Sequence, residues 1–264
     1  MRLEARIEGI GLVGPGFANW REGRLLLAAQ STYVPRPTVV PAPDALPATE
    51  RRRAGKSVNV SLAAGLEAAS AARRSPRDLV TIFASSSGDG ENCHWICETL
   101  ASNDRAISPT RFHNSVHNAP AGYWGIATGA MRPADCLGAF DASFGAGLLE
   151  AMTRLVVEPA QPVLVIAYDA PYPEPLHTAR AIADSFAVAL LLASASDSKA
   201  APRLTLEFCH ERGEVLEDPA LERMRREIPA ARSLPLLTLL ARKSSGHAVI
   251  DYLDGLSLRV GTMA

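Results

Sequence analysis

Three short, uninterrupted apolar runs constrain the fold of this chain more than any other feature. They are DLVTIFA at 78–84, PVLVIAYDA at 162–170 and SFAVALLLASA at 185–195. Runs of this length without polar alternation are typical of strands buried on both faces. Helical patterns lie between and beside them, as in SVNVSLAAGLEAASAARR at 57–74. The sequence therefore predicts an α/β fold with a mixed, mostly parallel sheet and helices on both faces.

The two ends of the chain add further strands. ARIEGIGLVGPG at 5–16 alternates apolar residues and ends in a glycine loop. Its glycines satisfy the bare G-x-G-x-x-G pattern, but no acidic residue follows at the expected distance, so nucleotide binding is disfavoured. RLTLEFCHE at 203–211 predicts a strand, and the Asp-Gly pair within 247–263 predicts a hairpin. The proline-rich segment 33–49 cannot be helical and is expected to run extended over the surface.

Composition excludes several classes of function. A length of 264 residues with 47% apolar residues suits a single domain over 1–264. A net charge of −1 gives no reason to expect nucleic acid or an anionic membrane as partner. Four cysteines are too few for a disulfide scaffold, and no apolar signal core or membrane span is apparent, so a cytoplasmic protein is expected. The pairs Cys93/Cys97 and His113/His117 lack companion ligands, so neither a metal nor a cofactor is predicted.

The segment CLGAFDASFGAGLLEAM at 136–152 passes from a predicted strand to a predicted helix through small residues. Such a turn often displays a reactive side chain, and here it offers Asp141, Ala142 and Ser143. Asp141 at a helix start is expected to be stabilised by free N–H groups rather than to react. Cys136 lies inside the predicted strand and is interpreted as a small buried residue.

Ser143 keeps a hydrolase or acyltransferase interpretation open. Strand, serine and helix follow one another as in a nucleophile elbow, although D-A-S-F-G lacks the first glycine of G-x-S-x-G. An acid and a histidine must then follow in the chain. Asp169 or Asp251 can supply the acid, and His210 or His247 the base.

Five segments together resemble β-ketoacyl synthases in order and spacing. They span about residues 5–195 and read GIGLVGPGFANWREGRLLLAAQS, ERRRAGKSVNVSLAAGLEAA, VTIFASSSGDGENCHWICETL, ISPTRFHNSVHNAPAGYWGIATGAMRPADCLGAF and PVLVIAYDAP. The resemblance implies the thiolase-like fold, in which two similar halves pack together. It also implies a cysteine nucleophile at a helix start, with two histidines and a lysine from the second half.

The sequence departs from that family at the residues that do the chemistry. Counted without gaps from Pro133, the cysteine position falls at Asp141, and a shift of one residue places Ala142 there. The glycine-rich histidine motifs of the second half are absent, and His247 lacks such surroundings. The chain therefore resembles one half of the duplicated fold, over 1–195, followed by a divergent C-terminal α+β segment over 200–264.

This combination resembles the chain-length factors of aryl polyene and xanthomonadin-type pigment pathways. The resemblance implies a catalytically inactive homologue, a pseudoenzyme, that pairs with a full-length β-ketoacyl synthase, or self-associates, and meets acyl carrier protein indirectly. Residues 107–128 should then form the dimer surface. The residues expected at the acyl tunnel or the partner are Phe112, Asn114, Val116, His117, Asn118, Phe140, Asp141 and Ser143, whereas Tyr123 and Trp124 should pack on the sheet. A stand-alone module that binds acyl carrier protein is the remaining alternative.

Overall fold

The computed structural model describes residues 2–196 and 201–263. Within them, eight strands form one sheet in the order β3-β2-β4-β5-β1-β6-β8-β7. The strands are β1 (Arg2–Val13), β2 (Val80–Ala84), β3 (Ala134–Leu137), β4 (Val163–Asp169), β5 (Phe186–Ser194), β6 (Arg203–Cys209), β7 (Gly246–Leu253) and β8 (Leu256–Met263). The helices are α1 (Trp20–Leu27), α2 (Ala48–Arg51), α3 (Lys56–Ala71), α4 (Gly90–Ala101), α5 (Pro109–Asn114), α6 (Ala119–Thr128), α7 (Ser143–Val157), α8 (Leu176–Ala179), α9 (Pro219–Glu227) and α10 (Leu234–Ala241).

The sheet is mixed, and the α/β class is confirmed. Parallel pairing is less extensive than predicted, because β2 runs parallel to β3 and β4 while every other described pair is antiparallel. A parallel neighbour requires a long crossover, usually through a helix. The β4–β5 connection contains only the four-residue α8, and β7–β8 is a hairpin, so these pairs are antiparallel.

Helices cover the sheet on both faces. Helices α3 and α6 pack on one face, and α7, α10 and the 3₁₀ turn Pro229–Ser233 pack on the other. The α3 face explains the glycines of the first strand. A Cβ at Gly9 or Gly11 would lie 2.1 or 1.9 Å from a carbonyl oxygen of α3, so both positions must lack a side chain for the helix to approach. The glycine pattern therefore serves packing.

Most predicted elements are present. Helix α1 begins after Asn19, whose side chain accepts a hydrogen bond from the Glu22 N–H at 2.9 Å. The segment before Pro120, which the sequence predicts as a loop that becomes helical only after that proline, is a loop only in part, because α5 forms there. Ser108 caps α5 by accepting from the Arg111 N–H, and Pro109 suits the first helical position.

The C-terminal segment joins the sheet rather than merely covering it. Strands β6, β8 and β7 continue the sheet beyond β1 by antiparallel pairing. Helix α10 and the 229–233 turn cover the α7 face, where they contact α1, α7 and β7. No described helix is long and apolar enough to cross a membrane.

Candidate functional site

The turn between β3 and α7 carries a strained residue. After Leu137 the chain passes through Gly138 into a single 3₁₀ turn, Phe140–Ala142, before α7 begins at Ser143. Phe140 has φ +52°, in the left-handed region that bulky side chains rarely adopt. Its ring is 64% exposed, and the Arg180 guanidinium lies over it, 3.4 Å from the ring centroid. Strained residues of this kind concentrate at functional sites.

Asp141 is held by arginines, not by the helix start as predicted. Its side chain is half-exposed, and its two oxygens accept from Arg180 Nη2 at 2.6 Å and Arg232 Nη2 at 3.1 Å. Because Arg232 belongs to the 229–233 turn, the ion pairs tie the C-terminal segment to this turn. The carboxylate is thereby occupied on both oxygens. Ala142 beside it is buried.

Ser143 closes the turn and is not displayed. It is buried, its Oγ donates to the Phe140 carbonyl at 2.7 Å, and it accepts from the Ala139 N–H at 3.0 Å. Among the described residues, no hydrogen bond joins Ser143 to a histidine. The structure therefore does not assemble the acid–histidine–serine arrangement of a hydrolase.

The other members proposed for that arrangement are engaged elsewhere. His210 contacts the Gly255 carbonyl at 2.8 Å, and Asp251 pairs with Arg225 at 2.7 Å. His247 lies in β7, opposite Gly261 of β8. Asp169 contacts serines rather than a histidine.

Asp169, at the end of β4, is the most deeply buried carboxyl in this region. One oxygen accepts from the Ser86 N–H at 2.9 Å, Ser86 Oγ at 2.7 Å and Ser85 Oγ at 3.3 Å, and the other accepts from the Ala230 N–H at 2.8 Å. Burial raises the pKa of this carboxyl to about 6, although these hydrogen bonds lower it. Asp169 thus joins the loop after β2 to the 229–233 turn, a structural role that sequence reasoning missed. A lone acid ending an all-apolar strand was the available signal.

The segment expected at the partner divides into exposed and buried residues. Phe112, 63% exposed, Val116 and Asn118 lie at the surface. Asn114 is buried, donates to the Arg53 carbonyl at 2.7 Å and accepts from the Tyr123 hydroxyl at 3.1 Å. Asn114 therefore fixes α5 to the loop before α3 and to α6.

His117 connects this segment to the turn after β3. Its Nε2 lies 3.4 Å from the Ser85 carbonyl oxygen, and a Cβ at Gly138 would lie 3.5 Å from the same nitrogen. Val116, the residue before His117, is exposed. As predicted, Tyr123 and Trp124 are buried, on the α3 face of the sheet.

Further exposed apolar residues follow around strand β3. Ile126 lies on α6, and Met131, 91% exposed, lies between α6 and β3. Strand β3 is an edge strand, since the described residues place no strand on its outer side. We call the set Phe112, Val116, Ile126, Met131, Phe140 and strand β3 the β3 surface. Between 107 and 128 the only Asp, Glu, Lys or Arg is Arg111, which stacks on Trp95.

No cysteine lies at the turn. Cys93 and Cys97 are on α4, and Cys209 is buried in β6. Cys136 is on β3, where burial raises the pKa of its thiol to about 11, so the thiolate is disfavoured. The described residues contain no group of three side chains suited to a metal ion.

Comparison with known proteins places this arrangement in context. A family model described as the N-terminal domain of β-ketoacyl synthases matches residues 25–250. The curated proteins contain no significant match.

Solved structures share the fold over nearly all of the chain. One chain of the complex of the ketosynthase ApeO with its chain length factor ApeC, from Xenorhabdus doucetiae, superposes with a TM-score of 0.75 at 24% identity, covering 98% of this chain and 99% of that one. A chain of the ishigamide ketosynthase/chain length factor gives 0.71 at 14% identity, covering 98% and 99%. A β-ketoacyl synthase from Burkholderia phymatum gives 0.61 at 16% identity, covering 92% of this chain but 71% of that one.

Proposed function

The chain belongs to the β-ketoacyl synthase family, and from this premise we propose that it is a non-catalytic partner subunit, a chain length factor, for a full-length β-ketoacyl synthase. The observation that carries the proposal is the turn after β3. We place the family's nucleophile position in this turn, where the chain has an exposed phenylalanine and a carboxylate paired to two arginines. Neither group forms the acyl thioester that a thiolate forms.

The geometry of the turn supports a register one residue earlier than the ungapped count. The strained backbone of a nucleophile elbow serves to project one side chain outward. Here the residue with positive φ is Phe140, ahead of Asp141. We therefore assign Phe140 to the nucleophile position, with Asp141 and its arginines fixing the turn behind it.

The extent of the structural matches supports the partner role. The chain covers nearly all of the chains matched in two ketosynthase/chain length factor structures, but less than three quarters of the Burkholderia synthase. The proposal assigns the condensation chemistry to the partner, whose own cysteine, histidines and lysine the family resemblance implies. Acyl carrier protein would then load the partner, and this chain would meet it only indirectly.

The β3 surface is the proposed contact with the synthase. An interface core is apolar and poor in charge, and an unpaired edge strand offers backbone groups for further pairing. Exposed apolar side chains such as Phe112 and Met131 supply the first feature, and the unpaired edge of β3, whose Asp135 is paired with Arg154, supplies the second. In this role Phe112 and Val116 reach the partner's acyl tunnel and stop the growing chain by steric contact. Each methylene denied burial costs about 0.8 kcal/mol.

The family resemblance extends the proposal to the product class. Aryl polyene and xanthomonadin-type pathways use short homologues of this kind beside a complete synthase. We propose that the acyl chain whose length this subunit limits is a polyene or a similar fatty-acid-like chain.

The first experiment is co-expression with a full-length β-ketoacyl synthase, followed by affinity purification and size-exclusion chromatography. A one-to-one complex is expected, and a substitution of Val157 by aspartate should leave it intact. Val157 is exposed at the last residue of α7, about 21 Å along the helix from the turn. Elution of the two proteins as separate species would contradict the partner role.

The second experiment measures product length in the reconstituted pair. Phe112→Ala and Val116→Ala should lengthen the product because they remove the steric stop, whereas Val157→Ala should not. Unchanged product length in both variants would show that these side chains do not limit the length of the acyl chain. If this chain alone bound an acylated carrier protein and no synthase, the stand-alone binding module would replace the proposal.

A further inference from the structure

A cavity away from the β3 surface combines an apolar floor with unpaired positive charge. It has a volume of about 590 Å³ and lies among β1, α1, α10 and the end of β8. The volume falls within the range of small-molecule sites, about 300 to 1,000 Å³. None of its lining residues belongs to the β3 surface or to the turn after β3.

The floor of the cavity is apolar and fixed. Ile7 of β1 and Leu240 of α10 are buried beneath it, and Trp20 forms part of the wall. Trp20 is held by its backbone N–H, which donates to Glu67 Oε1 at 2.7 Å. The other oxygen of Glu67 accepts from the Leu12 N–H at 2.9 Å, so α1 is anchored to both β1 and α3. The wall is therefore pre-formed.

Three cations line the same cavity. They are Arg21 and Arg24 on α1 and Lys243 just after α10. Within residues 2–196 and 201–263, none of the three makes an ion pair. The lining carboxylate, Glu8, is already occupied by Arg74, which contacts both of its oxygens at 2.9 and 2.8 Å. Like charges gathered at one opening favour an anion, because each repels the others until a counter-charge arrives.

From this combination we propose that the cavity binds a single-chain amphiphile with an anionic head group, of the fatty carboxylate class. The tail lies on Ile7, Trp20 and Leu240, and the carboxylate contacts Arg24 and Lys243. A small inorganic anion leaves the apolar floor unfilled, and a cationic amphiphile meets three like charges. The site is independent of the proposed synthase contact.

The test uses the full chain and decanoate as the probe. Saturable binding is expected by calorimetry, together with a change in tryptophan emission, since Trp20 lines the cavity while Trp95 and Trp124 do not. Decyltrimethylammonium, which has the same tail and the opposite charge, and inorganic phosphate at equal ionic strength should not bind.

Three variants locate the site. The double variant Arg24→Gln/Lys243→Gln should weaken decanoate binding about tenfold, because each partly exposed ion pair contributes up to about fivefold. Ala71→Phe, at an exposed position on the cavity wall, should weaken it more by filling the space. The matched control Arg77→Gln removes an exposed cation outside the cavity and should change nothing.

The outcomes separate this proposal from the partner role. No decanoate binding, equal binding of the two amphiphiles, or undiminished binding in both cavity variants would overturn it. Circular dichroism confirms that each variant is folded before titration. Co-purification with the synthase should be unaffected by the cavity variants, so failure of one proposal leaves the other standing.

Discussion

The two edges of the sheet are finished in different ways. At the β7 edge, the Glu214 N–H donates to the Val249 carbonyl at 2.8 Å, and Arg225 of α9 pairs with Asp251. At the β3 edge, the strand has only four residues, no described strand pairs with its outer side, and its Asp135 is paired with Arg154 of α7. Unpaired edges are a liability that proteins usually cover or charge. An edge covered within the chain needs no partner, whereas an unpaired edge beside exposed apolar side chains is suited to one.

The largest effect is expected from substitutions in the β3 surface, beside the unpaired edge strand. The double variant Phe112→Asp/Met131→Asp places two charges in the proposed interface core. We expect the affinity for the synthase to fall about a thousandfold, or about 4 kcal/mol, because desolvated anchors dominate binding. The free energy of unfolding of the isolated chain should change by less than about 0.5 kcal/mol per site, since both side chains are exposed. Surface plasmon resonance measures the affinity and urea unfolding measures the stability, with Val157→Asp as the control in both.

The next largest effect is expected from a substitution at the β7 edge, which is covered within the chain. Arg225 is buried and binds Glu222 at 2.8 Å as well as Asp251. Arg225→Met leaves Glu222 unpaired, and we expect the chain to lose about 3 to 4 kcal/mol of unfolding free energy. Synthase affinity should be retained at a temperature where the variant is folded. A loss of affinity without a loss of stability would reverse the assigned roles of the two edges.

The stability of the chain should depend on pH through Asp169, which joins the loop after β2 to the 229–233 turn. Its pKa is raised in the folded state, so the folded chain holds this proton more tightly than the unfolded chain does. The contribution of Asp169 to stability is then greatest below the unfolded pKa, about 4, and falls as the pH rises through about 6.

The size of that loss is about 2 to 3 kcal/mol. The comparison variant is Asp169→Asn, which does not titrate but gives up at least one hydrogen bond. The difference in unfolding free energy between wild type and variant should shrink from pH 4 to pH 7 by this amount, as followed by urea denaturation. A constant difference across that range would show that Asp169 is not the titrating group.

The smallest effect sharpens the comparison at α6. Gly122 is exposed, and a Cβ there would have no atom within 4 Å. Gly122→Ala should stabilise the isolated chain by about 0.5 to 1 kcal/mol, because alanine loses less backbone entropy in a helix. Gly122 and Ile126 share one helix face. If that face contacts the synthase, Gly122→Ala will raise the melting temperature of the free chain and will raise that of the complex by less.

Sequence reasoning predicted the interior of the fold well because burial leaves a local pattern. The apolar runs of β2, β4 and β5 fall where strands occur, and the Asp-Gly hairpin is present with Gly255 at φ +69°. The short helix α5 was missed, since six residues with a proline carry too little periodicity. Strand β3 lies two residues earlier than the apolar letters indicate, because Gly138 and Phe140 belong to the turn.

The site was less accessible to sequence reasoning because its contacts are distant in the chain. Sequence reasoning names Asp141 but not its partners Arg180 and Arg232, which lie 39 and 91 positions away. Nothing local marks Phe140 as the residue with positive φ. The exposure of Met131 depends on β3 being an edge, which follows from the order of strands in space.

The position of β8 between β6 and β7 has a consequence for biosynthesis. Strand β1, made first, lies between β5 and β6, and β6 in turn requires β8 as its other neighbour. Strand pairs that join such distant segments form slowly, because the entropy cost of closing the intervening loop comes before the free-energy gain of the contacts. The ribosome must therefore pass Met263 before the sheet can close. Until then the newly made β1 and β6 present open hydrogen-bonding edges, and the nascent chain is a natural client for chaperones.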